Sequence, residues 1–150
     1  MRLRPYLLAL LPIALASCLG DNITTVDTAA VPIESTTFAA SLGVNLSAST
    51  KTPSGLYFRD IRAGTGATIG AGQRLNVKYS GALANGSVFD AGTFAFTIPG
   101  QVIQGWNEGL LGMRIGGSRQ LIIPPSLGYG AQGSGPIPPN AVLVFTVEPL

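Results

Sequence analysis

Arg74-Leu75-Asn76-Val77-Lys78-Tyr79-Ser80-Gly81-Ala82-Leu83-Ala84-Asn85-Gly86-Ser87-Val88-Phe89-Asp90 is the stretch whose reading decides the fold. Residues 74–80 alternate polar and apolar with period two, the pattern of a strand with one face in a core and the other in water. Asn85-Gly86 follows, the strongest short-range hairpin signal, because a type I′ turn needs positive φ at both central positions. Residues 87–90 then return as a second, antiparallel strand.

Working outward, Gly55-Leu56-Tyr57-Phe58-Arg59-Asp60-Ile61 has strand composition and is ended by Gly64-Thr65-Gly66. That glycine triplet looks faintly like a phosphate loop, but no helix follows it and the spacing is wrong. Downstream, Thr93-Phe94-Ala95-Phe96-Thr97-Ile98 is predicted as a further strand, closed by Pro99-Gly100. Residues 103–113 are the one predicted helix, with Trp106, Leu110 and Met113 at i, i+4 and i+7 on one apolar face. Gly116-Gly117 precedes a strand over 118–123, which Pro124-Pro125 stops; 128–140 is a Gly/Pro loop and 141–148 a last strand. The expected class is α+β: an antiparallel sheet of about five strands curved around one short α-helix. Phe96, Leu121, Leu143 and Val147 are expected in its core.

The chain opens differently. Arg2 and Arg4 precede an apolar run over 6–16, too short to span a bilayer core of roughly 30 Å and placed as in a secretory signal. Leu15-Ala16-Ser17-Cys18 resembles the bacterial lipoprotein box, in which the cysteine is lipidated and becomes the new N-terminus. Cys18 is the sole cysteine, so no disulfide is available to the folded part. The expected organisation is a signal peptide over 1–17, a lipidated cysteine and flexible tether over 18–51, and a folded domain over 52–150. Such a tether of thirty residues would reach about 30 Å r.m.s.. Val31, Ile33, Phe38, Leu42, Val44 and Leu46 are the residues in it that could instead pack on the domain.

Composition excludes several chemistries. Histidine is absent, which removes Ser-His-Asp and Cys-His catalysis and histidine-based metal sites. Lys and Arg number nine against seven Asp and Glu, and without Arg2 and Arg4 the two counts are equal. A neutral domain gives no electrostatic case for nucleic acid as a partner. Neither cofactor nor metal is expected. Function must come from apolar surface, hydroxyls, backbone amides and a few carboxylates.

Taken in order, Val77-Lys78-Tyr79-Ser80-Gly81, Asn85-Gly86-Ser87-Val88-Phe89-Asp90, Val102-Ile103-Gln104-Gly105-Trp106-Asn107-Glu108-Gly109-Leu110, Gly117-Ser118-Arg119, Pro124-Pro125-Ser126-Leu127-Gly128-Tyr129-Gly130 and Ile137-Pro138-Pro139-Asn140-Ala141-Val142-Leu143-Val144-Phe145 resemble the FKBP family of peptidyl-prolyl cis–trans isomerases. The resemblance covers residues 52–150. It implies an isomerase of X-Pro bonds in unfolded or exported polypeptides, with macrolides as ligands, and, with Cys18, a monomer held by lipid at a bacterial cell envelope, facing the periplasm or the exterior. It assigns Tyr79, Asp90 and Tyr129 as catalytic residues. Phe89, Phe94, Val102, Ile103, Trp106, Ile137 and Phe145 are assigned to substrate binding, with Trp106 as a floor beneath the proline ring. The Tyr129 hydroxyl and the Ile103 backbone N–H are the implied donors. Asp90 either orients the Tyr79 hydroxyl or stabilises charge on the twisted carbonyl.

Two places depart from the family pattern. Only Ala91-Gly92-Thr93 separates Asp90 from Phe94, where many relatives carry a longer excursion with an arginine, and the loop over 131–136 is short. The principal rival reading is a non-catalytic FKBP-fold module that binds or chaperones polypeptides. A lipocalin-like carrier would need about eight strands, more than the pattern supplies.

Overall fold

A computed structural model describes residues 29–150. The expected signal peptide over 1–17, the lipidation site Cys18 and the first part of the expected tether lie outside the described residues. Six strands form one sheet: β1 Thr50–Lys51, β2 Tyr57–Arg62, β3 Arg74–Leu83, β4 Val88–Thr97, β5 Ser118–Ile123 and β6 Leu143–Pro149. Their spatial order is β1-β2-β5-β6-β3-β4, antiparallel throughout. The single α-helix among the described residues, α1 Gln104–Gly109, packs across the concave face. This is the expected class; β1 is a strand the pattern did not show, and two segments the pattern kept apart join in β4.

The predicted alternation holds along β3: Leu75 and Val77 are buried and Tyr79 half-buried, while Arg74, Asn76, Lys78 and Ser80 are exposed. The hairpin lies where Asn85-Gly86 places it, but the turn is of another type. Gly86 alone has positive φ (92°), Gly86 N–H donates to Leu83 O at 2.9 Å, and Leu83 N–H donates to Ser87 O at 2.9 Å. That is a three-residue connection with glycine in the left-handed position, the next most common hairpin after the two-residue kind. Asn85 keeps negative φ and its side-chain oxygen accepts from Ser87 N–H at 2.9 Å.

The two strands expected over 87–90 and 93–98 are one. β4 runs unbroken past Gly92, each residue from Asp90 to Thr97 paired with β3. A glycine weakens a strand, but here ladder pairing along β3 outweighs the local break.

The predicted helix is shorter than its apolar period. Trp106, Leu110 and Met113 are all buried, yet α1 ends at Gly109. A further turn would send Met113 N–H to Gly109 O. Instead Met113 N–H donates to Leu110 O at 3.2 Å, and the Arg119 guanidinium donates to Gly109 O at 2.8 Å. Gly112 at φ 77° then turns the chain away. Arg119 is itself held by both carboxylate oxygens of Asp60, at 2.6 and 3.0 Å, and lies over the Phe58 ring.

Residues 29–49, expected in the tether, are structured and cover the convex face of the sheet. They carry 3₁₀ turns at Ile33–Ser35, Ala40–Leu42 and Leu46–Ala48. Ile33 is buried with Tyr57, Ile122 and Val142, and Phe38, Val44 and Leu46 pack around them. Polar contacts fix the arm at its middle: Gln120 Nε2 donates to Leu42 O at 2.7 Å and Arg59 donates to Gly43 O at 2.9 Å. Ala39 N–H donates to Ala84 O at 2.8 Å. With α1 on one side and the arm on the other, every residue of β5 is buried.

The main core lies on the concave side, where Phe96, Leu121, Leu143 and Val147 are buried as expected. The Gly64-Thr65-Gly66 segment packs on the 114–117 turn. A Cβ on Gly66 would lie 2.7 Å from that of Ile115, so no phosphate cradle exists there.

Candidate active site

The concave face is left open at one end, between β3, β4 and α1, and a cavity of about 430 Å³ opens there. Tyr79, Phe89, Asp90, Phe94, Gln101, Val102, Ile103, Trp106, Tyr129 and Phe145 line it. Nine of the ten sequence-assigned site residues are thus brought together; Ile137 is not. It lies in the main core, 6% exposed, at the Ser134–Ile137 bridge. Gln101 is the lining residue that the sequence reading missed. An exposed polar residue between Gly100 and Val102 carries no pattern that sets it apart from an ordinary loop.

Trp106 sits at the base, 5% exposed. It is ringed by Tyr79 at 5.2 Å (interplanar 74°), Phe145 at 5.4 Å (84°) and Phe96 at 5.8 Å between centroids. Phe89 meets Phe145 edge-on at 5.5 Å. Edge-to-face arrangements of this kind place the positive ring edge against a negative ring face and hold each ring in one orientation.

Three glycines make room for this arrangement. A Cβ on Gly105 or Gly109 would stand 2.7 Å from Ile123 or Leu121, so glycine lets α1 sit close on β5 with Trp106 facing the cavity. A Cβ on Gly81 would collide with the rings of both Phe145 and Phe89.

Asn107 secures the loop that enters α1. Its Oδ1 accepts from Gly100 N–H at 2.9 Å and its Nδ2 donates to Gly100 O at 3.2 Å. This loop carries Gln101, Val102 and Ile103. Ile103 is the residue before the helix, and its carbonyl accepts from Trp106 N–H at 3.0 Å. Its own N–H has no hydrogen-bond partner among the described residues, and neither has the Tyr129 hydroxyl on the opposite rim, where Tyr129 is 39% exposed.

One polar pair stands inside the aromatic wall. The Tyr79 hydroxyl donates to Asp90 Oδ2 at 2.7 Å. This bond is the largest cause holding the Tyr79 pKa above its ordinary value, followed by burial and by the charge of Asp90. Losing that proton would set a phenolate against a carboxylate.

The family profile for FKBP-type peptidyl-prolyl cis–trans isomerases matches residues 66–150. The chain belongs to the FKBP-type peptidyl-prolyl cis–trans isomerase family. An FK506-binding protein of Neisseria meningitidis is 44% identical over 102 residues, covering 63% of this chain and 93% of that protein. FK506-binding protein 4 of Rhizopus delemar is 48% identical over 105 residues, covering 66% of this chain but 28% of its own length. The chain therefore spans little over a quarter of that longer relative. Among solved structures, a peptidyl-prolyl cis–trans isomerase of Pseudomonas syringae superposes with a TM-score of 0.65 at 32% identity, covering 74% of this chain and 84% of that one.

Within the family profile lie all the cavity-lining residues, from Tyr79 to Phe145. The fold of the FKBP family is thus what closes a sheet over α1 and leaves the aromatic cavity at its open end.

Proposed function

We propose that this protein catalyses cis–trans isomerisation of X-Pro bonds in unfolded or exported polypeptides, and that lipid on Cys18 holds it at a bacterial cell envelope. The observation that carries the first part is the aromatic cavity, floored by Trp106 and holding only one carboxylate, Asp90, among its lining residues.

Rotation about a peptide bond costs roughly 18–20 kcal/mol because twisting destroys C–N resonance. A turnover of about 10³ s⁻¹ corresponds to a barrier near 13 kcal/mol, so the site has to remove roughly 6 kcal/mol. No covalent step, metal or proton transfer is required for that. The planar amide is the more charge-separated form and is the better solvated by water. Moving it into a cavity walled by Tyr79, Phe89, Phe94, Trp106 and Phe145 penalises the planar state more than the twisted one.

The free Ile103 N–H and Tyr129 hydroxyl serve to position the carbonyls flanking the proline. Because Asp90 Oδ2 is occupied by Tyr79, Oδ1 is the atom left to face the electropositive carbonyl carbon of the twisted bond. Macrolides that mimic such an amide are the inhibitors expected for this cavity.

The second part rests on Arg2, Arg4, the apolar run behind them and Leu15-Ala16-Ser17-Cys18. Mass spectrometry of the membrane fraction tests it: wild type should carry acyl chains on Cys18, and Cys18→Ser should be released unmodified.

Isomerisation of a proline peptide by the full chain, with and without tacrolimus, tests the activity. Acceleration that tacrolimus abolishes is expected. A folded protein that binds the peptide with no acceleration would replace the isomerase with a binding module.

A further inference from the structure

The two edges of the sheet are unequal. One is closed by β1, two residues long and ending in Lys51. The other is β4, ten residues long, whose outer side has no strand neighbour among the described residues. A free edge presents a row of N–H and C=O groups ready to pair with another chain, and proteins blunt such edges with lysine, proline, bulges or brevity. From 91 to 97 β4 has none of these devices; its one register shift lies opposite Gly81 and Ala82, before Asp90.

The register shows which groups face outward. Ile98 N–H donates to Gln73 O at 2.9 Å, one step beyond the Arg74–Thr97 pair. Antiparallel partners alternate between bonded and non-bonded pairs. Phe96, Phe94, Gly92 and Asp90 therefore spend their main-chain groups on β3, whereas Ala95, Thr93 and Ala91 turn theirs outward. The other side of β3 agrees: Leu150 N–H donates to Asn76 O at 2.9 Å, so even-numbered β3 residues bond towards β6 and odd-numbered ones towards β4. Ala91, Thr93 and Ala95 are exposed, and their short side chains leave the edge open.

This edge is continuous with the cavity. Phe89, Asp90 and Phe94, all on β4, form part of its wall. A chain laid beside β4 would lie about 4.8 Å away and set alternate side chains over the rim made by Asp90 and Phe94. Tyr79, against Trp106, is on β3, so such a chain lies two strand spacings, roughly 10 Å, from Tyr79, or about three extended residues.

We propose that β4 is a docking edge for the substrate polypeptide: a segment beginning about three residues from the proline pairs as an added strand with the outward main-chain groups of Ala91, Thr93 and Ala95. The proposal rests on the isomerase reading and deepens it. Pairing through main-chain groups takes its affinity from the backbone and is indifferent to most side chains. It selects extended, unpaired chain over folded protein, and a peptide that ends inside the cavity forgoes it.

The test compares three proline peptides on the full chain: a four-residue peptide, the same centre with eight-residue extended flanks, and the flanked peptide N-methylated at alternate flank positions. The flanked peptide should show kcat/KM about tenfold higher, equivalent to about 1.4 kcal/mol, and N-methylation should remove the gain. Thr93→Pro should bring the ratio of flanked to short peptide close to one, since its N–H faces outward and the preceding Gly92 tolerates proline; Thr93→Ala should keep the ratio. Equal kcat/KM for all three peptides overturns strand docking and leaves the isomerase reading standing. No acceleration of any peptide overturns both. A concentration-dependent dimer that Thr93→Pro dissociates, with no advantage for the flanked peptide, assigns the edge to a second copy and also overturns the proposal.

Discussion

The Tyr79 hydroxyl donates to Asp90 Oδ2 at 2.7 Å, tying the inward face of β3 to the rim strand β4 beside the ring of Trp106. The bond fixes which carboxylate oxygen remains available to a substrate. Tyr79→Phe should therefore lower kcat/KM about tenfold, a loss of ~1.4 kcal/mol, in a protease-coupled proline-peptide assay. The raised Tyr79 pKa has a definite sign. Stability from this bond is complete below the ordinary value of 10.0 and is lost as pH rises through the raised one. Tyrosinate absorbance should show two tyrosines titrating late, Tyr79 and the Glu34-bonded Tyr57, and Asp90→Asn should bring only Tyr79 back towards its ordinary value.

Trp106 is the only tryptophan in the chain, so its fluorescence reports on the cavity alone. A proline peptide or macrolide entering should change that emission, and Asp90→Asn should preserve the change while altering turnover. Trp106→Ala removes a buried indole and should cost about 3–5 kcal/mol in denaturant unfolding. Unchanged emission at saturating ligand would place binding elsewhere on the molecule.

Asn107 holds Gly100 through two hydrogen bonds, and through it the loop that carries Gln101, Val102 and Ile103. Asn107→Ala leaves that loop's N–H and C=O unpaired and should destabilise the protein by about 1–3 kcal/mol. Because the Ile103 N–H moves with the loop, KM should rise more than kcat falls. A smaller loss in an isosteric Asn107→Asp variant, which can still accept from Gly100 N–H but cannot donate to Gly100 O, would show that the N–H bond carries part of the effect.

Ile33 is buried against Tyr57, Ile122 and Val142 on the face of the sheet opposite the cavity. Ile33→Ala should cost about 2–4 kcal/mol in urea unfolding, with kcat/KM unchanged. A protein trimmed to residues 52–150 would bare the same cluster and should lose at least as much.

The start of the arm carries its own pH dependence. Glu34 accepts from Lys51 and from the Tyr57 hydroxyl, both at 2.5 Å, and these bonds, Lys51 first, lower its pKa from 4.5 to about 2. A lowered carboxylate pKa contributes stability above the ordinary value and loses it as pH falls through the lowered one. Amide exchange in residues 29–49 should therefore quicken, beyond its intrinsic acid dependence, between pH 4.5 and about pH 2. Glu34→Gln should exchange faster at neutral pH and show no such step.

Much of this molecule was legible along the chain because it rests on short-range pattern. Alternation over 74–80 marks a half-buried strand wherever that strand ends up, and Asn85-Gly86 marks a reversal whichever turn forms. The spacing of Trp106, Leu110 and Met113 found the buried face of α1. The order of the motifs identified the family and nine of the residues that meet in the cavity.

What the chain pattern left open depends on contacts between distant segments. Gly92 reads as a strand break, yet pairing with Tyr79 carries β4 through it. The apolar period runs to Met113, but Arg119, arriving from β5, takes the carbonyl that another helical turn would need. Ile137 is apolar like the pocket wall, and only the packing of its loop on the core decides that it is buried there instead. Residues 29–49 have no clean periodicity because they lie on the sheet as short turns, so their docking shows only once Ile122 and Val142 are seen beside Ile33. Sequence by itself determined the elements and the family, since both reside in local order; the sheet's free edge, the covered convex face and the Tyr79–Asp90 bond were decided by tertiary structure, because each is a relation between strands that only folding brings together.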